Sequence, residues 1–148
     1  MAIRLKKRTS YLADIVAFFE SFSVELEYSM SDLPVIVKRL SDSQMCGCVS
    51  FLKECAVLFE NGTDFPVAWS QAVTGNTPLL NVKERDKLLN FGLTLGTTDI
   101  SGQKKLIDLF RGYFDTFFRQ AKSCEEKFYA IYILSGVLAG FGVFILII

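Results

Sequence analysis

Several residue groups in this 148-residue chain could carry chemistry, and each implies a different protein. The stretch "FGLTLGTTDISGQKK", Phe91 to Lys105, has three glycines, a Thr-Thr-Asp triplet and a lysine pair, the ingredients of a phosphate-cradling loop. Cys46-Gly47-Cys48 resembles half of a metal or redox site. Glu20 and Glu27 lie seven apart and could in principle form a carboxylate pair for acid–base work. Gly136 and Gly140 form a G-x-x-x-G of the kind that lets membrane helices approach closely.

Most of these readings fail on spacing. A Walker-type loop needs G-x-x-x-x-G-K-[ST] between a strand and a helix. Here Gly92 and Gly96 are four apart, Gly102 precedes Gln103, and no strand pattern precedes either. The stretch reads instead as a joint. Gly96 ends one helix, because glycine tolerates positive φ. Thr97-Thr98-Asp99 then offers a side-chain oxygen to the free N–H groups of the next. Asp99 and Gln103 form a capping-box-like pair one residue longer than the usual spacing. A four-ligand zinc site has little to draw on, since the chain has 4 cysteines and 0 histidines. Without histidine, Glu20 and Glu27 read as a solvated border of a helix. The sequence thus calls for no catalytic residue, cofactor, metal or small-molecule substrate. A formal net charge of +0 gives no pull toward nucleic acid.

The elements that must position these residues are helical. Between Ser10 and Tyr28, Leu12, Ile15, Val16, Phe19, Phe22 and Leu26 form one apolar stripe, with Asp14 and Glu25 opposite. A second helix opens at Ser31-Asp32-Leu33-Pro34 and runs to about Leu40. A third carries Val49, Phe51, Leu52, Cys55, Ala56, Leu58 and Phe59 and stops at Asn61-Gly62. A short fourth, from Asp64-Phe65-Pro66, holds Trp69 as a core anchor and ends at Thr74-Gly75. Asn81 can cap a fifth, in which Lys83 to Lys87 supply solvated charge and Leu88, Leu89, Phe91, Leu93 and Leu95 the core. The last carries Leu106, Leu109, Phe110, Tyr113, Phe114, Phe117, Ala121 and Cys124 at spacings of three and four. The predicted fold is all-α, a bundle of about six helices with a C-terminal transmembrane helix.

From Phe128 to Ile148, "FYAIYILSGVLAGFGVFILII" contains no charged residue. As a helix it rises roughly 31 Å, the thickness of a bilayer's hydrocarbon core. Arg119, Lys122 and Lys127 precede it and predict a cytoplasmic bundle. Tyr129 and Tyr132 fit the interfacial aromatic belt. No proline interrupts the last helix, so bundle and span are expected to form one long helix. Ser135 is the one polar side chain beyond the tyrosines, which argues against an ion path through the span. The domain reading is a basic segment 1–8, a bundle 9–127 and an anchor 128–148. "RLKKR", Arg4 to Arg8, reads as solvated or facing lipid headgroups.

The same Gly-rich stretch carries a family likeness. "FGLTLGTTDISGQKKLIDL", Phe91 to Leu109, resembles the signature of the stage III sporulation protein AB family, membrane proteins of endospore formers. "VELEYSMSDLP" (24–34), "FENGTDFPVAWSQAV" (59–73) and the Gly-rich span follow in the family's order. Departures are Ser23 in place of the first acid of an acid-x-acid pair, and Leu33-Pro34 in reversed order. The family pattern also has a membrane span ahead of the first bundle helix, where "MAIRLKKR" stands here.

The resemblance implies a bundle like the cytoplasmic domain of the type II secretion platform protein F. It implies a non-enzymatic platform of the mother-cell-to-forespore channel, on the mother-cell side of the outer forespore membrane. That platform would link an ATPase like stage III sporulation protein AA to membrane and ring components. The residues singled out for such a contact are Glu25, Glu27, Asp99, Gln103 and Lys104, with Gly136 and Gly140 for packing within the membrane. The other reading of the same residues is a tail-anchored adaptor or regulator that binds a soluble cytoplasmic partner and has no channel role.

Overall fold

The apolar stripe read at Leu12, Ile15, Phe19, Phe22 and Leu26 is the inner face of α1 (Ala2–Ser29), and all five side chains are buried. In the computed structural model, residues 1–43, 49–95, 97 and 99–148 are described, Val49 by its backbone. The remaining helices are α2 (Leu33–Asp42), α3 (Val49–Glu60), α4 (Phe65–Asn76), α5 (Val82–Thr94) and α6 (Ile100–Ile147), with no strand among the described residues. Cys46, Cys48, Gly96 and Thr98 lie outside the described residues.

Helix α1 packs chiefly along α6, with α2 to α5 closing the other side. The pair is antiparallel. Glu27 of α1 meets Lys104 near the start of α6, while Lys6 shares a groove with Phe118, Lys122 and Tyr129. The core between them is aromatic. Phe18, Phe19, Phe22, Phe51, Phe91 and Phe114 are fully buried around Trp69, whose ring lies 5.5 Å from those of Phe51 and Phe91. Edge-to-face pairs dominate this cluster, the arrangement that sets a positive ring edge against a negative face. Trp69 Nε1 donates to the Leu88 carbonyl at 2.8 Å, so its one polar atom is satisfied inside the core.

Caps and turns set the helix limits. Asn81 and Glu84 form a full capping box, each side chain bonding the other's backbone N–H at 2.9 Å. Asp32 and Asp64 occupy N-cap positions ahead of Pro34 and Pro66 but make no side-chain cap bond. Gly62 takes φ 90 in the turn after α3, a backbone shape that residues with a Cβ rarely adopt.

Some sequence expectations are corrected. Helix α1 begins at Ala2, eight residues ahead of the periodic stripe, and α4 runs on to Asn76. Phe18 and Ile107 are core residues, whereas Leu93 and Leu109 are more than half exposed and Cys124 is exposed. The run Lys83 to Lys87 is not uniformly solvated. Glu84 is buried and pairs with Arg8 at 2.5 Å, Arg85 bonds the Thr77 carbonyl at 3.1 Å, and Lys87 sits 4.1 Å over the Tyr113 ring. Five successive helical residues sweep every face of the helix, so such a run must turn part of itself inward. Arg8 is consequently not a free member of the basic run.

Burial pushes the Cys55 thiol up to about 12. At pH 8 about one molecule in 10⁴ would then carry the reactive thiolate. Cys55 should therefore resist maleimide in the folded chain, on the order of 100-fold or more below the exposed Cys124. Peptide-resolved mass spectrometry would measure both rates; equal labelling would mean that α3 opens readily.

Candidate functional site

The antiparallel α1–α6 pair has two poles, one beside the apolar span and one remote from it. Four of the five residues singled out for partner contact gather at the remote pole, where the end of α1 meets the start of α6. Lys104 Nζ donates to Glu27 Oε2 at 3.0 Å, and this bond with the adjacent negative charge raises the lysine above its ordinary range. Asp99 Oδ1 accepts from the Gly102 N–H at 3.0 Å, and the Asp99 carbonyl accepts from Gln103 N–H at 2.9 Å, which starts α6. Glu25, two residues before Glu27 and so on nearly the opposite side of α1, accepts from Arg39 of α2 at 2.6 Å. Two ion pairs thus strap α1 to both neighbours.

Between them the chain turns sharply. Met30 adopts φ 46, ψ 24, a left-handed conformation that a residue with a Cβ seldom takes, and its side chain is exposed. Ser29 Oγ donates to the Glu25 carbonyl at 2.6 Å and closes the helix end. The turn borders an open cleft of about 460 Å³, lined by Leu26, Met30, Asp32, Leu33, Ile100 and Gln103. Its walls, which also include Ser31 and Pro34, mix apolar side chains with an acid, an amide and a serine, the make-up of a protein contact surface. No sequence signal marked Met30 or Ile100 for this role. The left-handed residue is not glycine, and Ile100 fits the register of a core residue until the cleft is seen.

Among its described residues, the Gly-rich stretch from Phe91 to Lys105 closes one helix and opens the next. Helix α5 ends at Thr94, Thr97 Oγ1 donates to the Thr94 carbonyl at 2.7 Å, and Asp99 caps α6. The stretch is a helix–helix joint, and its acidic cap would repel a phosphate. Glu20 borders a groove with Arg39 and Ser43 at the end of α2, whereas Glu27 turns to Lys104, so the two carboxylates serve different neighbours. Among the described residues no three Cys, Asp or Glu side chains converge where a metal ion could sit.

Helix α6 runs 48 residues without a break, and its most apolar 18-residue window has mean hydropathy 2.4 and is 0% buried. By length and composition it can cross a membrane, and its exposed apolar surface needs a non-aqueous cover. Positions where a Cβ on Gly136 or Gly140 would stand have nothing within 4 Å. This face of the span packs against none of the other described residues.

Fold and surface together define a small all-α bundle borne on a long C-terminal helix that is a candidate membrane anchor. The family profile of stage III sporulation protein AB matches residues 1–148, and the chain belongs to that family. A solved structure of stage III sporulation protein AB (SpoIIIAB) superposes with a TM-score of 0.71 at 21% identity, covering 82% of this chain and 98% of the other. That likeness is one of fold. No match was found among curated protein sequences.

Proposed function

We propose that this sporulation protein is a non-enzymatic membrane platform. It holds a cytoplasmic ATPase, of the kind called stage III sporulation protein AA, against membrane and ring components of the mother-cell-to-forespore channel. One observation carries the reading: α6 joins the remote pole to the span as a single unbroken helix. From Ile100 to Lys127 it rises roughly 40 Å, so a partner docked at the pole is mechanically tied to the bilayer. A continuous hydrogen-bonded helix clamped by α1 passes on a displacement, where a flexible linker would absorb it. Arg119, Lys122 and Lys127 beside the span favour a cytoplasmic bundle. A likeness to the platform protein F of type II secretion, which the family resemblance implies, fits the same arrangement. In the membrane, Gly136 and Gly140 offer a face for close lateral packing with another span.

The contact is assigned to the remote pole, with Gln103 in the cleft wall, Glu27, Asp99 and Lys104 beside it, and Glu25 in the groove on the α2 side. Titration of the detergent-solubilised chain with the ATPase should show saturable binding that weakens as salt rises. A Glu25→Gln/Glu27→Gln variant should lose binding about tenfold or more. Both acids sit in exposed ion pairs, which contribute little to stability, so the variant stays folded and reports on the contact. Absence of binding by a folded, helical chain would turn the assignment to an adaptor for a different soluble partner.

A further inference from the structure

The pole beside the span carries a surface that the platform reading does not use. Antiparallel packing brings the first two turns of α1 level with the residues where α6 becomes apolar. Lys6 and Thr9 share a groove of about 350 Å³ with Lys122, Glu125, Glu126 and Tyr129. Tyr129 is the second residue of the uncharged segment. Arg4, Lys6 and Lys7 are therefore at the height of the bilayer's headgroups.

Charge and exposure at this level favour an anionic surface. Arg8 is neutralised by Glu84, but Arg4, Lys6, Lys7, Lys122 and Lys127 form no ion pair among the described residues. Against these five cations stand Glu125 and Glu126, leaving the collar basic. Ile3 is 73% exposed in the midst of the basic run, an apolar side chain that a water-facing helix end gains nothing by showing. A cationic rim with an apolar member, set at the water–hydrocarbon boundary, matches a headgroup layer.

We infer that the start of α1 is a second membrane contact, in which Arg4, Lys6 and Lys7 bind anionic phospholipid headgroups beside the span and Ile3 dips among them. The inference rests on α6 crossing the bilayer. A headgroup contact at the start of α1, together with the span, would fix the tilt of the bundle on the bilayer. The pole that meets the partner would then keep a set orientation.

Amide hydrogen exchange on the full chain in nanodiscs tests this. Nanodiscs of phosphatidylcholine alone are compared with ones that also contain phosphatidylglycerol, at low and high salt. Residues 2–9 should exchange on the order of tenfold more slowly with the anionic lipid at low salt, and salt should reverse the effect. An Arg4→Gln/Lys6→Gln/Lys7→Gln variant, which spares Arg8 and its pair, should exchange at the neutral-lipid rate in both. Equal exchange in the two lipids, with residues 128–147 protected, would overturn the lipid contact alone. Unprotected residues 128–147 would overturn the membrane span itself. Protection produced in neutral nanodiscs by added polyglutamate, and not by phosphatidylglycerol, would replace the lipid with an acidic protein partner and so overturn the inference.

Discussion

Gly92→Ala is expected to destabilise the bundle by about 3 kcal/mol, although alanine is the better helix former by about 1 kcal/mol. A Cβ at Gly92 would stand 2.0 Å from Trp69 Cδ1, 2.4 Å from Cγ and 2.6 Å from Nε1. The indole cannot retreat. It is fully buried, ringed by Phe18, Phe51, Phe65 and Phe91, and held by its bond to the Leu88 carbonyl. Moving it breaks that bond and opens a gap on the far side, and both losses add to the overpacking cost. Gly112→Ala is the matched control. Gly112 also lies within a helix, but a Cβ there meets nothing within 4 Å, so the substitution should stabilise by up to about 1 kcal/mol. Trp69 is the sole tryptophan, so its fluorescence follows urea unfolding directly. If both variants shift the midpoint the same way, the close approach of α4 and α5 at this point is wrong.

Removing the Glu84 side chain should cost a similar amount for an electrostatic reason. Its carboxylate is buried, yet both oxygens are used: Oε2 accepts from the Asn81 N–H and Oε1 from Arg8. Glu84→Ala leaves the Asn81 N–H unsatisfied and strips Arg8, which is 30% exposed, of its partner, for about 3 kcal/mol in total. Glu84→Gln keeps the cap bond but not the charge and should cost about half of that. Arg8→Ala should cost at least as much as Glu84→Gln, since it strands a buried carboxylate. Thermal melts of the detergent-solubilised chain would rank the three. The order matters because a bundle bounded at residue 9 excludes Arg8 and carries this defect.

Much of the architecture was legible because helices are local objects. Recurrence of apolar side chains at three and four residues follows from the turn of the helix itself, and Asn81, Asp99, Pro34 and Pro66 act within one turn of where they stand. The span is local too, since its length and lack of charge need no neighbour for their meaning. Trp69 was legible as an anchor from its size and its place on a short helix.

Other features depend on residues far apart in the chain. Glu84 looks solvated within its charged run, and only Arg8, 76 positions away, shows that it is buried and paired. Glu27 and Lys104 are 77 positions apart, and neither predicts the other. Leu109 and Ile107 are equally apolar, and which one faces α1 depends on the rotation of α6, set by the fit of Phe110 and Phe114 among rings from other helices.

By itself, then, the sequence determined six helices, most of their ends, an uncharged span and a family signature, because these rest on backbone periodicity, local capping and composition. Only the tertiary structure decided that Gly92 must lack a side chain, that Glu27, Asp99, Gln103 and Lys104 share the pole remote from the span, and that the basic start of α1 lies beside it. Each of those is a matter of what two distant segments place against one another, and antiparallel packing of α1 on α6 settles all but the first, which the approach of α4 to α5 decides.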